Sequence, residues 1–194
     1  MNSSNIIAGV DEVGRGSLSG PVVAAAVILK PNIKITDIKD SKMIIYKKRQ
    51  IICNYVKQNS IYAFGKASVK EIDQLNILEA SLLAMKRAVE KLKIRPSLVL
   101  IDGNFAPKKF GIKYKTIIHG DKKVPCISAA SILAKVRRDL IMIKLAKKYP
   151  NYGWDLNFGY GTRKHFLALK KYGITKLHRK TFRPIHNILL QKKY

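Results

Sequence analysis

Apolar runs of strand length alternate with stretches of helical period along this chain. Five runs bounded by Gly, Pro, Asn or Lys clusters predict strands at about 5–11, 20–29, 60–69, 97–102 and 114–118. Helical periodicity predicts helices over 42–58, 76–94, 126–148 and 162–172, the last with Thr162 as N-cap and Gly173 after its end. Strands dominate at first and helices at the end, which favours a mixed sheet flanked by helices with a helical C-terminal extension.

The most informative stretch follows the first apolar run directly. Asp11-Glu12-Val13-Gly14-Arg15-Gly16 places two carboxylates at the end of a buried strand and a glycine-flanked arginine after them. Pleating sends neighbouring side chains to opposite faces, but a strand that ends there lets the longer Glu12 fold back toward Asp11. The glycines let backbone N–H groups approach a ligand closely. The hexapeptide alone fits either a site for metal ions and a phosphate or a strand-to-loop corner with solvated acids.

Two further acids follow later strands. Asp102 closes the fourth apolar run, and Asp121 lies between the fifth run and the helix that begins near Pro125. Such strand ends converge on one crevice in open sheets with helical crossovers, so we expect all four carboxylates to meet there. Close carboxylates repel one another unless cations hold them, and their hard oxygens suit Mg²⁺ or Mn²⁺. Taken alone, Asp102-Gly103 is more typical of a tight turn.

The positive charge is large and unevenly distributed. The net charge is +26, and residues 104–194 contribute 22 Lys and Arg against three acids, whereas residues 1–103 contribute 16 against nine. A field of this size matches nucleic acid or another anionic surface. A proteome rich in lysine and isoleucine would also raise the total, so the asymmetry is the more informative observation.

Nothing in the composition predicts a membrane or secreted protein. The longest apolar run, 22–29, is far too short to span a bilayer, and the first four residues lack the basic start of a signal peptide. Cys53 and Cys126 have neither disulfide-framework nor zinc-site spacing, which indicates reduced thiols. We therefore expect a cytoplasmic monomer folded as a single domain over residues 1–194.

A series of motifs runs in order along nearly the whole chain. They are Asp11–Gly16, Gly20–Val23, Asp40–Lys42, Asn76–Ser81, Ile101–Gly103, Gly120–Asp121, Ala129–Asp139, Gly159–Thr162 and His178–Arg179. The series resembles ribonuclease HII. The resemblance implies an α/β ribonuclease H-like fold, in which helices flank a mixed five-stranded sheet and a C-terminal helical region at about 150–194 grips the duplex.

The resemblance also implies an activity. It is that of a metal-dependent endonuclease that cleaves the RNA strand of RNA/DNA hybrids and the 5′ side of single ribonucleotides embedded in duplex DNA, leaving 5′-phosphate and 3′-OH ends. Such an enzyme supports ribonucleotide and primer removal, and whether a sliding clamp or polymerase recruits it stays open. Matched by position, the carboxylates that hold two Mg²⁺ or Mn²⁺ ions are Asp11, Glu12, Asp102 and Asp121.

The substrate-binding positions come from the same match. The backbone of Gly14, Arg15 and Gly16 corresponds to the reader of the ribose 2′-OH, and Tyr160 corresponds to the tyrosine that stacks on the neighbouring sugar. Lys42 is a candidate for a phosphate contact, with a solvated surface charge as the alternative.

Three positions depart from the family pattern. Ser17 stands where proline or alanine is common, Met43-Ile44-Ile45 replaces Lys-Leu-Ser, and Phe158 replaces a lysine. None removes a metal ligand, so these departures bear on substrate grip alone. The related ribonuclease HIII has an N-terminal substrate-binding domain, for which the residues before Asp11 leave no room.

The remaining polar and aromatic residues have simpler interpretations. We expect surface or packing roles for His119, His165, His178 and His186, and packing of the C-terminal helices by Tyr149, Tyr152 and Trp154. Asp139 is expected to form an ion pair with the adjacent Arg137 or Arg138, and the alternative is that it orients residues of the metal site. Lys164, Lys180 and Arg183 are phosphate-contact candidates.

Two alternative functions stay open at this point. A non-catalytic basic module, such as a ribosome-associated protein, would explain the charge but not four acids at strand ends. A ribonuclease H that needs several consecutive ribonucleotides would share the acids but not the cleavage at a single ribonucleotide.

Overall fold

One mixed sheet organises the molecule, whose computed structural model describes residues 6–31, 33 and 46–191. The strands are β1 (Ile7–Val13), β2 (Val22–Leu29), β3 (Ser60–Ala67), β4 (Leu98–Asp102) and β5 (Tyr114–Ile117), in the order β3-β2-β1-β4-β5. Strand β1 is central, pairing antiparallel with β2 and parallel with β4. The five predicted strands are confirmed, with ends shifted by about two residues at most.

Helices pack on both faces of this sheet and continue beyond it. They are α1 (Tyr46–Gln58), α2 (Val69–Leu75), α3 (Ile77–Glu90), α4 (Gly120–Lys123), α5 (Pro125–Lys148), α6 (Trp154–Asn157), α7 (Arg163–Tyr172) and α8 (Arg183–Gln191), with a 3-10 turn at Pro150–Tyr152. The predicted helices are confirmed in α1, α3, α5 and α7. The periodicity missed α2, α8 and the two four-residue helices α4 and α6.

Helix α2 replaces the predicted end of the third strand. Its N-cap is Ser68, whose hydroxyl accepts a hydrogen bond from the N–H of Glu71, while the Glu71 carboxylate accepts one from the N–H of Ser68. This reciprocal capping box satisfies two backbone donors at once and favours a helix start over continued strand.

The long helix α5 rests directly on the central strand. At Gly9 there is no room for a side chain, because a Cβ atom would lie 2.2 Å from the backbone carbon of Cys126. Alternation along the strand places Asp11 on the same face as Gly9. Helix α3 covers the opposite face, where it packs against Ala8 and Val10. The sequence of β1 therefore fixes α5 beside the first carboxylate.

The C-terminal helices pack around an aromatic cluster. Trp154 is fully buried and stacks on Tyr152 with a centroid separation of 5.2 Å, and Tyr149 lies 5.5 Å from Trp154, which confirms the predicted packing roles. Leu18 belongs to the same cluster, and its N–H donates to the carbonyl of Gly159 at 2.8 Å. The loop after β1 and the C-terminal region thus share one core.

Several expectations lie beyond these elements. Lys42, the motif 40–42 and the departure at 43–45 fall outside the residues that the structure describes. Cys53 and Cys126 are buried free thiols. Among the described helices, none combines the length and the apolar character needed to cross a membrane.

Candidate active site

Three carboxylates meet at one end of the sheet. Asp11 lies in β1, Asp102 ends β4 and Asp121 stands in the first turn of α4, and each offers an oxygen within 4.8 Å of the others. The parallel pairing of β1 and β4 brings the first two together, because the carboxyl ends of parallel neighbours share an edge. The structure thus assembles three of the four predicted acids.

Backbone N–H groups orient two of these carboxylates. Asp102 Oδ1 accepts hydrogen bonds from the N–H groups of Gly120 at 2.7 Å and Asp121 at 3.3 Å. Asp11 Oδ1 accepts one from the N–H of Glu12 at 2.7 Å, and the Ser131 side chain hydrogen bonds to the same carboxylate. These bonds fix where the oxygens point before any ligand arrives.

Glu12 stands beside the three aspartates and outside their group. Its Oε1 lies 3.2 Å from Nη1 of Arg15, and only 10% of the side chain is exposed. Pleating alone would place it on the opposite face from Asp11, and its carboxylate pairs with Arg15 and does not join the group of three. Glu12 still lines the cleft that contains Asp121.

Burial and neighbouring negative charge disfavour the charged state of Asp11 and Glu12. Burial, followed by the charges of Glu12 and Asp102, raises the pKa of Asp11 to about 8. Burial also raises the pKa of Glu12, although Arg15 opposes the shift. A close set of carboxylate oxygens whose charges oppose one another fits a divalent cation, since the cation supplies the missing positive charge.

Side chains of α5 form one wall of a cleft of about 210 Å³ next to these acids. Ser128, Ser131 and Lys135 line it, and Ser128 Oγ donates to the main-chain oxygen of Asp121. Ser131 and Lys135 lie within the motif of residues 129–139, but no site role was predicted for these three residues, although their spacing places them on one face of a helix. Lys135 also pairs with Asp139 at 2.5 Å, so the ion pair predicted for Asp139 forms with this lysine instead of an adjacent arginine.

Two fully buried arginines hold the loop of residues 14–21, here called the glycine loop, by its carbonyl oxygens. Arg179 donates to Gly14 at 2.6 Å, to Arg15 at 2.8 Å and to Gly20 at 3.0 Å. Arg138 binds the carbonyls of Pro21 at 2.9 Å, Ser19 at 3.1 Å and Phe158 at 2.8 Å. No sequence signal pointed to this role, because main-chain acceptors leave no pattern of side chains.

The anchoring leaves one side of the glycine loop open. Within the described part of the chain, the N–H groups of Arg15 and Gly16 have no hydrogen-bond acceptor, and both residues are exposed. Gly14 has φ 93°, and a Cβ there would lie 2.1 Å from Nε of Arg138. Only glycine therefore fits that position, and the loop presents its donors outward.

The backbone of Tyr160 is fixed from both sides. Its N–H donates to the carbonyl of Asn157 at 2.9 Å, and its carbonyl lies 2.9 Å from Nδ1 of His165. The guanidinium of Arg138 lies 5.6 Å from the ring centroid. Tyr160 is thereby tied to the arginine that holds the glycine loop.

A buried histidine pair supports this tyrosine. The His165 Nε2 atom accepts a hydrogen bond from Trp154 Nε1 at 3.2 Å and lies 3.2 Å from His178 Nε2, while His178 Nδ1 accepts from the N–H of Thr175. This pattern requires both rings to be neutral. The packing role predicted for these two histidines is confirmed, and His119 and His186 are exposed.

The three other candidates for phosphate contacts lie on the surface. Lys164 belongs to α7, Arg183 begins α8 and Lys180 follows the anchoring Arg179, and all three are exposed.

Comparison with known proteins assigns the family. The family model described as Ribonuclease HII matches residues 8–185. The chain belongs to the ribonuclease HII family. Its curated relatives in this family include Ribonuclease HII of Pelagibacter ubique, 60% identical over 184 residues, which are 95% of this chain and 99% of the relative. Ribonuclease HII of Roseobacter denitrificans is 46% identical over 187 residues, covering 96% and 94%.

The solved structure of a ribonuclease H2 shares the fold. The crystal structure of ribonuclease H2 from Pyrococcus horikoshii superposes with a TM-score of 0.80 at 29% identity, covering 96% of this chain and 98% of that one. The expected ribonuclease H-like sheet with its flanking and C-terminal helices is confirmed. The chain is accordingly an endoribonuclease, a hydrolase that acts on RNA paired with DNA, which favours catalysis over the non-catalytic basic module.

Proposed function

We propose that this ribonuclease HII incises duplex DNA on the 5′ side of a single embedded ribonucleotide, besides cutting the RNA strand of hybrids. The products carry a 5′-phosphate and a 3′-OH. The observation that carries the proposal is the juxtaposition of three carboxylates with oxygens within 4.8 Å and a neighbouring loop that presents free N–H groups.

The carboxylates would hold two divalent ions, Mg²⁺ or Mn²⁺. Asp11, Asp102 and Asp121 supply the converging oxygens, and Glu12 stands beside them as the fourth ligand. When bound, such ions neutralise charge on the scissile phosphate and lower the pKa of an attacking water. The chain contributes fixed orientation, since backbone N–H groups hold Asp11 and Asp102 in place.

Recognition of one ribonucleotide depends on the 2′-OH, because nearly everything else is shared with DNA. The outward N–H groups of Arg15 and Gly16 can donate to that hydroxyl, and Arg179 holds the carbonyls that face the other way. The Tyr160 ring packs on the following sugar, where an additional 2′-OH would clash. A deoxyribose after the ribonucleotide is therefore the preferred neighbour.

The proposed setting follows from the same substrate. Hybrids and ribonucleotide-containing DNA are the partners, and ribonucleotide and primer removal are the processes served. The two buried free thiols fit a reducing cytoplasm. We propose a monomer, whose basic C-terminal region at about 150–194 follows the duplex.

A cleavage assay tests the proposal. The full chain is incubated with a DNA duplex bearing one ribonucleotide, and with a continuous hybrid, in Mg²⁺, in Mn²⁺ and in EDTA. We expect metal-dependent cutting of both substrates, with 3′-OH and 5′-phosphate ends, and none with Asp102→Asn. Cleavage confined to runs of ribonucleotides would refute the single-site activity, and binding without cleavage in either metal would refute catalysis.

A further inference from the structure

A second and larger cavity lies away from the carboxylates. It measures about 570 Å³ and opens beside the edge strand β3, between the C-terminal end of that strand and α5. None of the four acidic site residues lines it. The catalytic proposal leaves this cavity without a role.

The floor of the cavity is apolar. It is formed by side chains from β2, β3, the start of α2, the middle of α5 and the loop before Arg179, namely Val23, Phe64, Val69, Ile141, Leu145 and Leu177. A concave apolar surface of several hundred Å³ is the usual form of a binding site for bulky apolar groups.

The rim carries only positive charge. Five exposed basic residues line it, and no acid does: Lys66, Lys70, Lys91, Arg137 and Lys176. Across the described ranges, none of the five takes part in an ion pair. The guanidinium of Arg137 lies 5.7 Å from the Phe64 ring centroid, which holds this charge at the mouth of the cavity.

We propose that this cavity docks a segment of a partner protein that presents bulky apolar side chains flanked by carboxylates. The apolar groups fill the floor, and the carboxylates meet the basic rim, which steers the encounter and fixes orientation. A nucleic-acid backbone matches the rim alone, because a phosphate placed against the apolar floor would lose its hydration without compensation.

The proposed docking site lies next to the glycine loop. The carbonyl of Leu177, on its wall, accepts a hydrogen bond from the N–H of Gly20 at 2.9 Å, so the docking site backs directly onto the glycine loop. The inference does not depend on the nuclease proposal, since it uses none of the catalytic residues.

Fluorescence anisotropy with a labelled peptide tests the docking site on the full chain. The probe is a heptapeptide in which one Leu and one Phe stand among five Asp. One control peptide replaces Leu and Phe by Ser, and the other replaces every Asp by Asn. We expect the probe to bind and each control to bind about tenfold or more weakly, because both chemistries are required.

Protein variants locate the binding. Arg137→Glu and Lys176→Glu should each weaken probe binding by about tenfold, whereas Lys170→Glu, the same charge change on an exposed position of α7, should leave it unchanged. Ile141→Trp should fill the floor and abolish binding. Thermal melting checks that each variant is folded. If Ile141→Trp does not fold, Arg137→Glu and Lys176→Glu still test the proposal.

Three outcomes would overturn the proposal. Equal binding of the Ser-substituted peptide would show attraction to charge alone. Equal weakening by Lys170→Glu would show that the cavity is not the site. If the rim and floor variants leave probe binding unchanged but weaken binding of an RNA/DNA hybrid, the cavity belongs to the path of the duplex.

Discussion

Arg179 donates a 2.6 Å hydrogen bond to the carbonyl of Gly14, although 165 residues separate the two along the chain. The same guanidinium binds the carbonyls of Arg15 and Gly20. The C-terminal region therefore does more than add positive charge, because it sets the position of the glycine loop.

Replacing this arginine by lysine should loosen the loop. A lysine cannot span the three carbonyls and leaves buried acceptors unpaired, so we expect Arg179→Lys to lower the free energy of unfolding by about 2–4 kcal/mol. Cleavage at a single ribonucleotide should fall more than cleavage of a long hybrid. Urea unfolding and kcat/KM on both substrates measure this, with the exposed Arg163→Lys as matched control. An unchanged ratio of the two activities would limit Arg179 to a structural role.

Removing one carboxylate from the group of three should raise the stability of the fold and abolish cleavage. Asp11 is 5% exposed and is repelled by Glu12 and Asp102, so Asp11→Asn should raise the melting temperature in EDTA. Cleavage should be abolished, because an oxygen ligand is lost, while hybrid binding stays largely intact. Melting curves and turnover at saturating Mg²⁺ measure both effects. Near wild-type turnover would show that the metal assignment is wrong.

The Tyr160 ring should matter most at a junction between ribonucleotide and DNA. Tyr160→Ala should reduce cleavage at a single embedded ribonucleotide by about 1–3 kcal/mol in transition-state free energy, the usual contribution of ring stacking. The loss on a continuous hybrid should be much smaller, and Tyr160→Phe should retain the preference. Equal losses on both substrates would assign Tyr160 to general packing.

Acid should destabilise the fold through the buried histidine pair. Burial, with the charge of His165 second, lowers the pKa of His178 from 6.5 to about 4, so the unfolded chain binds protons more readily below pH 6.5. The contribution of His178 to the free energy of unfolding is therefore fully present above pH 6.5. It decreases as pH falls from 6.5 toward 4, by about 3 kcal/mol at most.

The difference in the free energy of unfolding between the wild type and His178→Phe, measured by urea unfolding from pH 7 to 4, isolates this decrease, because the raised pKa of Asp11 acts in the opposite direction in both proteins. Relative to the wild type, His178→Phe should become more stable as pH falls, whereas His186→Gln, at an exposed position, should not. The same slope in the wild type and in His178→Phe would assign acid sensitivity to other groups.

The salt dependence of duplex binding should identify the basic residues that contact the phosphates. Each phosphate contact contributes about 0.9 to the slope of log K against log salt, so Lys180→Ala and Arg183→Ala should each reduce the slope by about that amount. Point variants are required, since truncation after residue 173 would remove Arg179. Lys93→Ala, an exposed position before β4, serves as control. Unchanged slopes would place both side chains off the duplex.

The strands and the three aspartates were predictable because local sequence determines both. An apolar run of strand length bounded by Gly, Pro, Asn or Lys favours a buried strand, and the acids at the ends of β1 and β4 meet because parallel strands share an edge. The capping box at Ser68 was equally local and predicts α2 once it is considered.

The anchors of the glycine loop were not predictable in this way. Arg138 and Arg179 bind carbonyl groups, which every residue carries, so no partner side chain identifies the contact in the sequence. The ion pair of Glu12 with Arg15 likewise depends on how the strand ends. Both required the tertiary arrangement.

The use of main-chain acceptors also has an evolutionary consequence. Because Arg138 binds the carbonyl of Phe158 and not its side chain, mutation at that position leaves the anchor itself in place. Phe158 is half-buried against the C-terminal cluster, and its ring centroid lies 4.6 Å from Nζ of Lys135, so a different side chain would change these contacts and keep the hydrogen bond from Arg138. A lineage can therefore change the side chain at such a position while the glycine loop keeps its place.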